Sequence, residues 1–167
     1  MKIFLGIRLP QELEEICERY RRAFKAPRTV AHITVIPPFT WEDEIQDLLA
    51  FLQAALKAAP SFMVAGAGIG SFGTRVLFIN VNLSLELKNM QASLAHQLRK
   101  KGVSVDKRLY HPHITLATRL RPGQFQRYQA ELANFSPDYS FLCSELSVFQ
   151  LSEEGRWLEC GKITLGN

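Results

Sequence analysis

Hydrophobic and polar positions change their period repeatedly along the chain, and each change marks an element. Residues 2–9 form a mostly apolar run closed by Pro10, which reads as a strand. From 11 to 25 the period turns helical: Leu13, Ile16, Tyr20 and Phe24 recur at spacings of three and four and make one apolar stripe. Glu12, Glu14 and Glu15 open this helix, and Arg21, Arg22 and Lys25 close it, the order that the helix dipole favours. Pro27 marks the stop. A strand is expected at 30–36, then a helix on Ile45, Leu48, Leu49, Leu52 and Leu56. Strands at 61–69 and 75–82 flank a glycine-rich turn. A third helix carries Leu87, Met90, Leu94 and Leu98 on its core face and ends at Arg99-Lys100-Lys101-Gly102. A strand at 112–118, a helix at 122–134 opened by Pro122, and long strands at 139–151 and 156–165 complete the chain. The order strand, helix, strand, helix, strand is thus written twice, with one strand added, in halves of about 1–74 and 75–167.

The halves share one short motif. His32-Ile33-Thr34-Val35 and His113-Ile114-Thr115-Leu116 each occupy the second strand of a half. Residues two apart on a strand share a face. His32 and Thr34 therefore project together, as do His113 and Thr115, while Ile33, Val35, Ile114 and Leu116 turn to the core. The chain holds seven Thr and four His. Two of those four His with Thr two places on is roughly a 1% coincidence. Packed about a pseudo-twofold axis, the two strands would set two imidazoles on either side of one cleft. Cleavage of a phosphodiester needs a base for the attacking oxygen and an acid for the leaving one, and imidazole serves as either near neutral pH. Two threonine hydroxyls can hold the non-bridging phosphate oxygens. The scheme requires no metal or cofactor. Structural histidines would leave the paired threonines unexplained. A zinc site on His32, His111 and His113 lacks further ligands at suitable spacing.

Composition narrows the setting. The 167 residues, 47% apolar, suit a globular chain rather than a disordered one. Cys17, Cys143 and Cys160 form no framework and read as reduced thiols of a cytoplasmic protein. The apolar start is too short for a signal peptide, and no run suits a membrane span. A net charge of +4 with pI near 9.1 hints at an anionic partner. Arg19, Arg21, Arg22, Lys25 and Arg28 precede the first motif, and Arg99, Lys100, Lys101, Lys107 and Arg108 precede the second. Both sets fit cations favoured at helix C-termini, or a positive rim that steers an anionic partner toward the motifs.

The two H-x-T motifs, Gly68-Ile69-Gly70-Ser71-Phe72-Gly73, and Tyr110-His111-Pro112-His113-Ile114-Thr115-Leu116-Ala117 resemble the two-histidine phosphoesterase superfamily. The nearest branch is the 2′-5′ RNA ligase-like, RNA 2′,3′-cyclic phosphodiesterase group. The resemblance covers essentially the whole chain. It implies one bilobal α+β domain over 1–167, with largely antiparallel sheets, a central cleft lined by the motifs and helices outside. It implies hydrolysis of 2′,3′-cyclic phosphate on an RNA end or small nucleotide to a 2′-phosphomonoester. In that reading His113 activates water, His32 protonates the leaving oxygen, and the chain is a monomer. Where the branch carries Arg directly after Leu-Ala, this chain has Thr118, with Arg119 one place later. The alternatives are a phosphodiesterase for 2′-5′-linked or cyclic oligonucleotides, and a non-catalytic RNA-binding module. Arg28, Arg108, Arg119 and Arg121 stand nearest the motif strands and are the candidates for phosphate contact. Phe39, Trp41, Phe72 and Tyr110 are the candidates for stacking a base.

Overall fold

The computed structural model describes residues 1–26 and 29–166. Its elements are β1 (Lys2–Arg8), α1 (Gln11–Ala23), β2 (His32–Thr40), α2 (Ile45–Leu56), β3 (Phe62–Ala67), β4 (Ile69–Phe72), β5 (Val76–Asn80), α3 (Leu85–Lys100), β6 (His113–Ala117), α4 (Pro122–Glu131), β7 (Asp138–Cys143), β8 (Glu145–Leu151) and β9 (Trp157–Thr164). This is an α+β fold. Seven strands form one sheet in the order β4-β5-β6-β2-β1-β8-β9, every neighbouring pair antiparallel. The remaining pair, β3 and β7, is antiparallel and stands apart.

The sheet order has a centre. β2 and β6, the two motif strands, lie side by side, with β1 and β5 outside them and β8 and β4 outside those. β4 precedes β5 in the chain yet follows the first motif, and β8 follows the second motif yet flanks β1. Each half thus supplies the outer strand of the other. The helices cover the sheet through contacts of α1 with β6, α2 with β9, α3 with β2 and α4 with β5. Ile3, Leu5, Ile33, Val35, Leu48, Leu52, Leu94, Ile114 and Leu116 are fully buried in one core.

Two expected strands are each broken in two. The run 61–69 stops at Gly68, whose φ of +81° lets the chain leave the small sheet and enter the large one as β4. The run 139–151 likewise breaks at Ser144, where the chain changes sheets: β7 pairs with β3, and β8 pairs with β1. Apolarity is continuous across both breaks, so composition hides them. The strand expected at 30–36 instead reaches Thr40 through Pro37 and Pro38. The ladder with β1 shifts register between Ile3 and Leu5, and this irregularity accommodates the prolines, which donate no N–H. Cys17 and Cys143 are buried free thiols and Cys160 is half-buried. Among the described residues no helix is long and apolar enough to cross a membrane.

Candidate active site

The expected alternation is present atom by atom. Ile33, Val35, Ile114 and Leu116 are fully buried, while His32, Thr34, His113 and Thr115 are half-buried on the opposite face. β2 and β6 pair at Ile33↔Ile114. An antiparallel pair at that point brings Thr34 beside His113 and His32 beside Thr115. The two motifs therefore interlock as a crossed quartet.

Both imidazoles are held the same way. Nδ1 of His32 bonds the Val30 carbonyl at 2.7 Å, and Nδ1 of His113 bonds the His111 carbonyl at 2.8 Å. A carbonyl only accepts, so each Nδ1 carries the hydrogen, and each neutral ring presents a bare Nε2. His32 Nε2 accepts from the Thr34 hydroxyl at 3.1 Å. One backbone device, a ring donating to the carbonyl two residues earlier, thus appears in both halves.

The rings differ in surroundings. His32 packs on Phe4 at 4.7 Å and on Phe149 at 5.8 Å. Burial pushes its pKa down to about 4, and the charges of Arg21 and His113 push the same way against the bond to Val30. His113 is also lowered, first by burial. An unfolded His32 binds its proton near 6.5, the folded one only near 4, so the unfolded state holds more protons between those values. Stability is therefore expected to be full above about pH 7 and to fall as pH drops from 6.5 toward 4. The loss from this ring is at most about 3 kcal/mol. Urea unfolding of wild type and His32→Asn at neutral and acid pH checks this, since the variant should lose less stability on acidification.

His113 stands against Phe72 at 4.9 Å, edge to face, and Phe78 at 5.1 Å. His111 touches the same two rings at 4.9 and 5.6 Å. Gly70 makes room for them, because a Cβ there would lie 2.5 Å from Phe78 and 2.6 Å from the Asn80 side chain. Gly70→Ala is therefore expected to destabilise by about 1–3 kcal/mol through overpacking. It should also lower turnover by displacing Phe78 against His113, which thermal unfolding and kcat together would show.

A cleft of about 590 Å³ opens here, lined among others by Thr34, Pro37, Phe72, Tyr110, His111 and His113. Of the four motif residues Thr34 and His113 line it and His32 and Thr115 do not; of the residues expected to bind substrate, Phe72, Arg108 and Tyr110 line it. Arg108 is exposed, and its guanidinium is engaged by Asp106 at 2.6 Å. Tyr110 offers its ring, but its hydroxyl is bound elsewhere. Phe39 is 2% exposed and buried with the core, so it presents no face to a base. Trp41 is likewise buried, with its indole N–H on the Glu44 carbonyl at 3.0 Å. Arg119 lines a separate cavity beyond Leu116 and Ala117, and the exposed Arg121 starts α4, its backbone N–H on Gln124. Neither lines the cleft. Arg28, like the helix stop expected at Pro27, lies outside the described residues. A larger groove of about 1030 Å³ has no histidine in its lining, and there Glu42, Asp43, Asp47 and Asp106 outnumber Lys2 and Lys101, which disfavours phosphate. Among the described residues no three His, Cys, Asp or Glu side chains converge as metal ligands would.

Three features escape the sequence. Arg21, expected on the rim, is 4% exposed. It donates to the Thr115 carbonyl at 2.7 Å and the Thr29 carbonyl at 2.8 Å, tying the second motif strand and the approach to the first to α1. Its position four residues after the buried Cys17, beside the stripe residues Tyr20 and Phe24, is the signal that points inward. Tyr110 donates its hydroxyl to the Thr34 carbonyl at 2.8 Å, and burial pushes its phenol up, so it stays a donor. Each motif threonine is thus fixed through its carbonyl by a side chain from outside the strand. Next to His32, Arg8 binds Glu14 and Glu159, and Glu159 accepts from the buried Ser147 at 2.8 Å.

The model of the 2′-5′ RNA ligase superfamily matches residues 7–155. The chain belongs to this superfamily of two-histidine phosphoesterases. Its fold is similar to that of E. coli LigT in complex with 3′-AMP, with 20% identity, a TM-score of 0.70, and 98% of this chain and 97% of that chain covered. It is similar also to TT0787 of Thermus thermophilus, with 18% identity, a TM-score of 0.72 and 99% and 98% covered. A structure described as a phosphoesterase matches at 21% identity and a TM-score of 0.70, with 99% and 98% covered. No curated protein matches the sequence. The family places the chain in a class of phosphodiesterase-type enzymes.

Proposed function

We propose that this protein hydrolyses 2′,3′-cyclic phosphate on an RNA end or small nucleotide to a 2′-phosphomonoester by two-histidine acid–base catalysis. The observation that carries this reading is the matched hold on the two rings, which leaves a bare Nε2 on each, with both histidines on one face of two adjacent paired strands. A water attacks phosphorus, and one Nε2 takes its proton. The bond from phosphorus to the 3′ oxygen breaks, and the other ring returns a proton to that oxygen. Thr34 and Thr115 donate to the non-bridging oxygens as charge shifts onto them. For Thr34 this means turning its hydroxyl from His32 Nε2 to phosphate, which frees that nitrogen. With His113 as base, His32 must be protonated when substrate is bound. An anionic phosphate beside the ring raises its pKa from about 4, in the direction that role needs. The 3′-AMP, phosphate and ATP complexes of the similarly folded LigT support a nucleotide as the kind of ligand bound.

The test is incubation with 2′,3′-cyclic mononucleotides in EDTA, with product identified as 2′- or 3′-monoester. Appearance of the 2′-monoester supports the reading; no monoester, or the 3′ isomer, overturns it. Pro37 and Pro38 in the cleft wall, with Thr118 where the branch carries Arg, depart from the cyclic phosphodiesterase pattern and motivate a second reading, cleavage of 2′-5′-linked or cyclic oligonucleotides. Comparing kcat/KM on both substrates separates the two.

A further inference from the structure

A separate cavity of about 530 Å³ is lined, over a floor that includes the core residues Phe24 and Tyr128, by Lys25, Arg119, Gly155 and Trp157. Among the described residues Lys25 and Arg119 are the two non-glycine positions with positive φ, 54° and 55°. L side chains adopt that conformation at a cost that glycine avoids. Here both positions carry a cation, both side chains line one cavity, and neither has an ion pair or side-chain hydrogen bond among the described residues. The cavity also holds an aromatic face. Trp157 is half-buried and meets Phe4 edge to face at 4.9 Å, and Phe4 meets His32 at 4.7 Å. Two ring contacts therefore join this cavity to the catalytic face. Gly155, in the turn between β8 and β9, also lines it and brings no side chain into it.

Unpaired cations with an adjoining, partly exposed ring are the chemistry that holds a single-stranded nucleotide, phosphate on the cations and base on the ring. We propose that this cavity is a subsite for the nucleotide adjoining the cyclic phosphate, with its phosphodiester on Lys25 and Arg119 and its base on Trp157. The proposal rests on the phosphodiesterase reading above and adds that the substrate is an oligonucleotide end rather than a free mononucleotide. Arg119, displaced by one residue from the position expected for the cleft, thus serves the strand beside it.

Glycine fits both backbone positions without strain, so Lys25→Gly and Arg119→Gly remove charge while relieving the fold. The measurement is kcat/KM for a cyclic mononucleotide and for a trinucleotide ending in 2′,3′-cyclic phosphate. Wild type should prefer the trinucleotide. In the double variant the ratio of the two values should fall about tenfold, and the dependence on log salt for the trinucleotide should flatten by about one phosphate. Trp157→Leu should lower the same ratio. An unchanged ratio, or no preference in wild type, overturns the subsite even if both substrates turn over. If neither turns over, the phosphodiesterase reading fails instead. The subsite is then decided by fluorescence anisotropy of a labelled trinucleotide 3′-phosphate: weaker binding by the double variant supports it, and equal binding overturns it.

Discussion

Replacing either motif histidine by alanine should lower kcat for a 2′,3′-cyclic nucleotide by about 10²–10⁴-fold, the range for loss of a positioned acid or base. The two losses should not multiply. Once one proton transfer is gone, the second ring has little left to assist, so the double variant should sit close to the worse single one. Asparagine separates the two jobs of each ring. Its amide nitrogen can stand where Nδ1 donates to the Val30 or His111 carbonyl, but it offers nothing at Nε2. His32→Asn and His113→Asn should therefore keep a thermal midpoint near that of wild type and still lose turnover. Single-turnover kinetics with circular dichroism on the same samples checks both halves of the statement. Retained turnover in either asparagine variant would remove that ring from the chemistry.

The second large effect is expected far from the cleft mouth. Arg21→Met should destabilise the fold by about 2–4 kcal/mol, because it strands the Thr29 and Thr115 carbonyls inside the protein. It also removes the cation 3.5 Å from Glu18, whose carboxylate accepts from the Ala31 amide just before the first motif. The same carbonyl bond sets where Thr115 stands, so kcat should fall even at temperatures where the variant is fully folded. Arg21→Lys keeps the charge but lacks the planar fork that reaches two carbonyls at once. It should lie between methionine and wild type in both stability and rate. Equilibrium urea unfolding with kcat measured well below the midpoint tests this. A methionine variant as stable as wild type would show that the two carbonyls find other donors.

Much of this site was legible because strand parity is a local property. His32 with Thr34 and His113 with Thr115 share faces by spacing alone, and the burial pattern follows that spacing. Parity fails just beyond the motif: the β1–β2 ladder shifts register twice, so Ile36 and then Phe39 both turn to the core, opposite Leu5 and Ile3, and an aromatic near the motif is core rather than cleft. Which strands become neighbours is not local. Nothing in the spacing says that β2 lies against β6, that β4 and β8 each flank the other half, or that apolar runs cross between sheets at Gly68 and Ser144. The roles of Arg21 and Tyr110 follow from that adjacency. An arginine in a basic helix end reads as a solvated cation, and a tyrosine before a motif reads as a stacking platform. Only when α1 lies under β6, and the segment before β6 lies beside β2, do the two side chains meet the carbonyls of the motif threonines.

The central claim is that one phosphate is gripped by both histidines. The most direct test is a crystal structure of the protein soaked with inorganic phosphate. The phosphate should lie between the two Nε2 atoms, each at about 2.6–3.2 Å from one of its oxygens, with the Thr34 hydroxyl turned from His32 onto the anion. Two Nε2 atoms too far apart to reach the same phosphate, or an anion bound only elsewhere while the cleft stays empty, would contradict it.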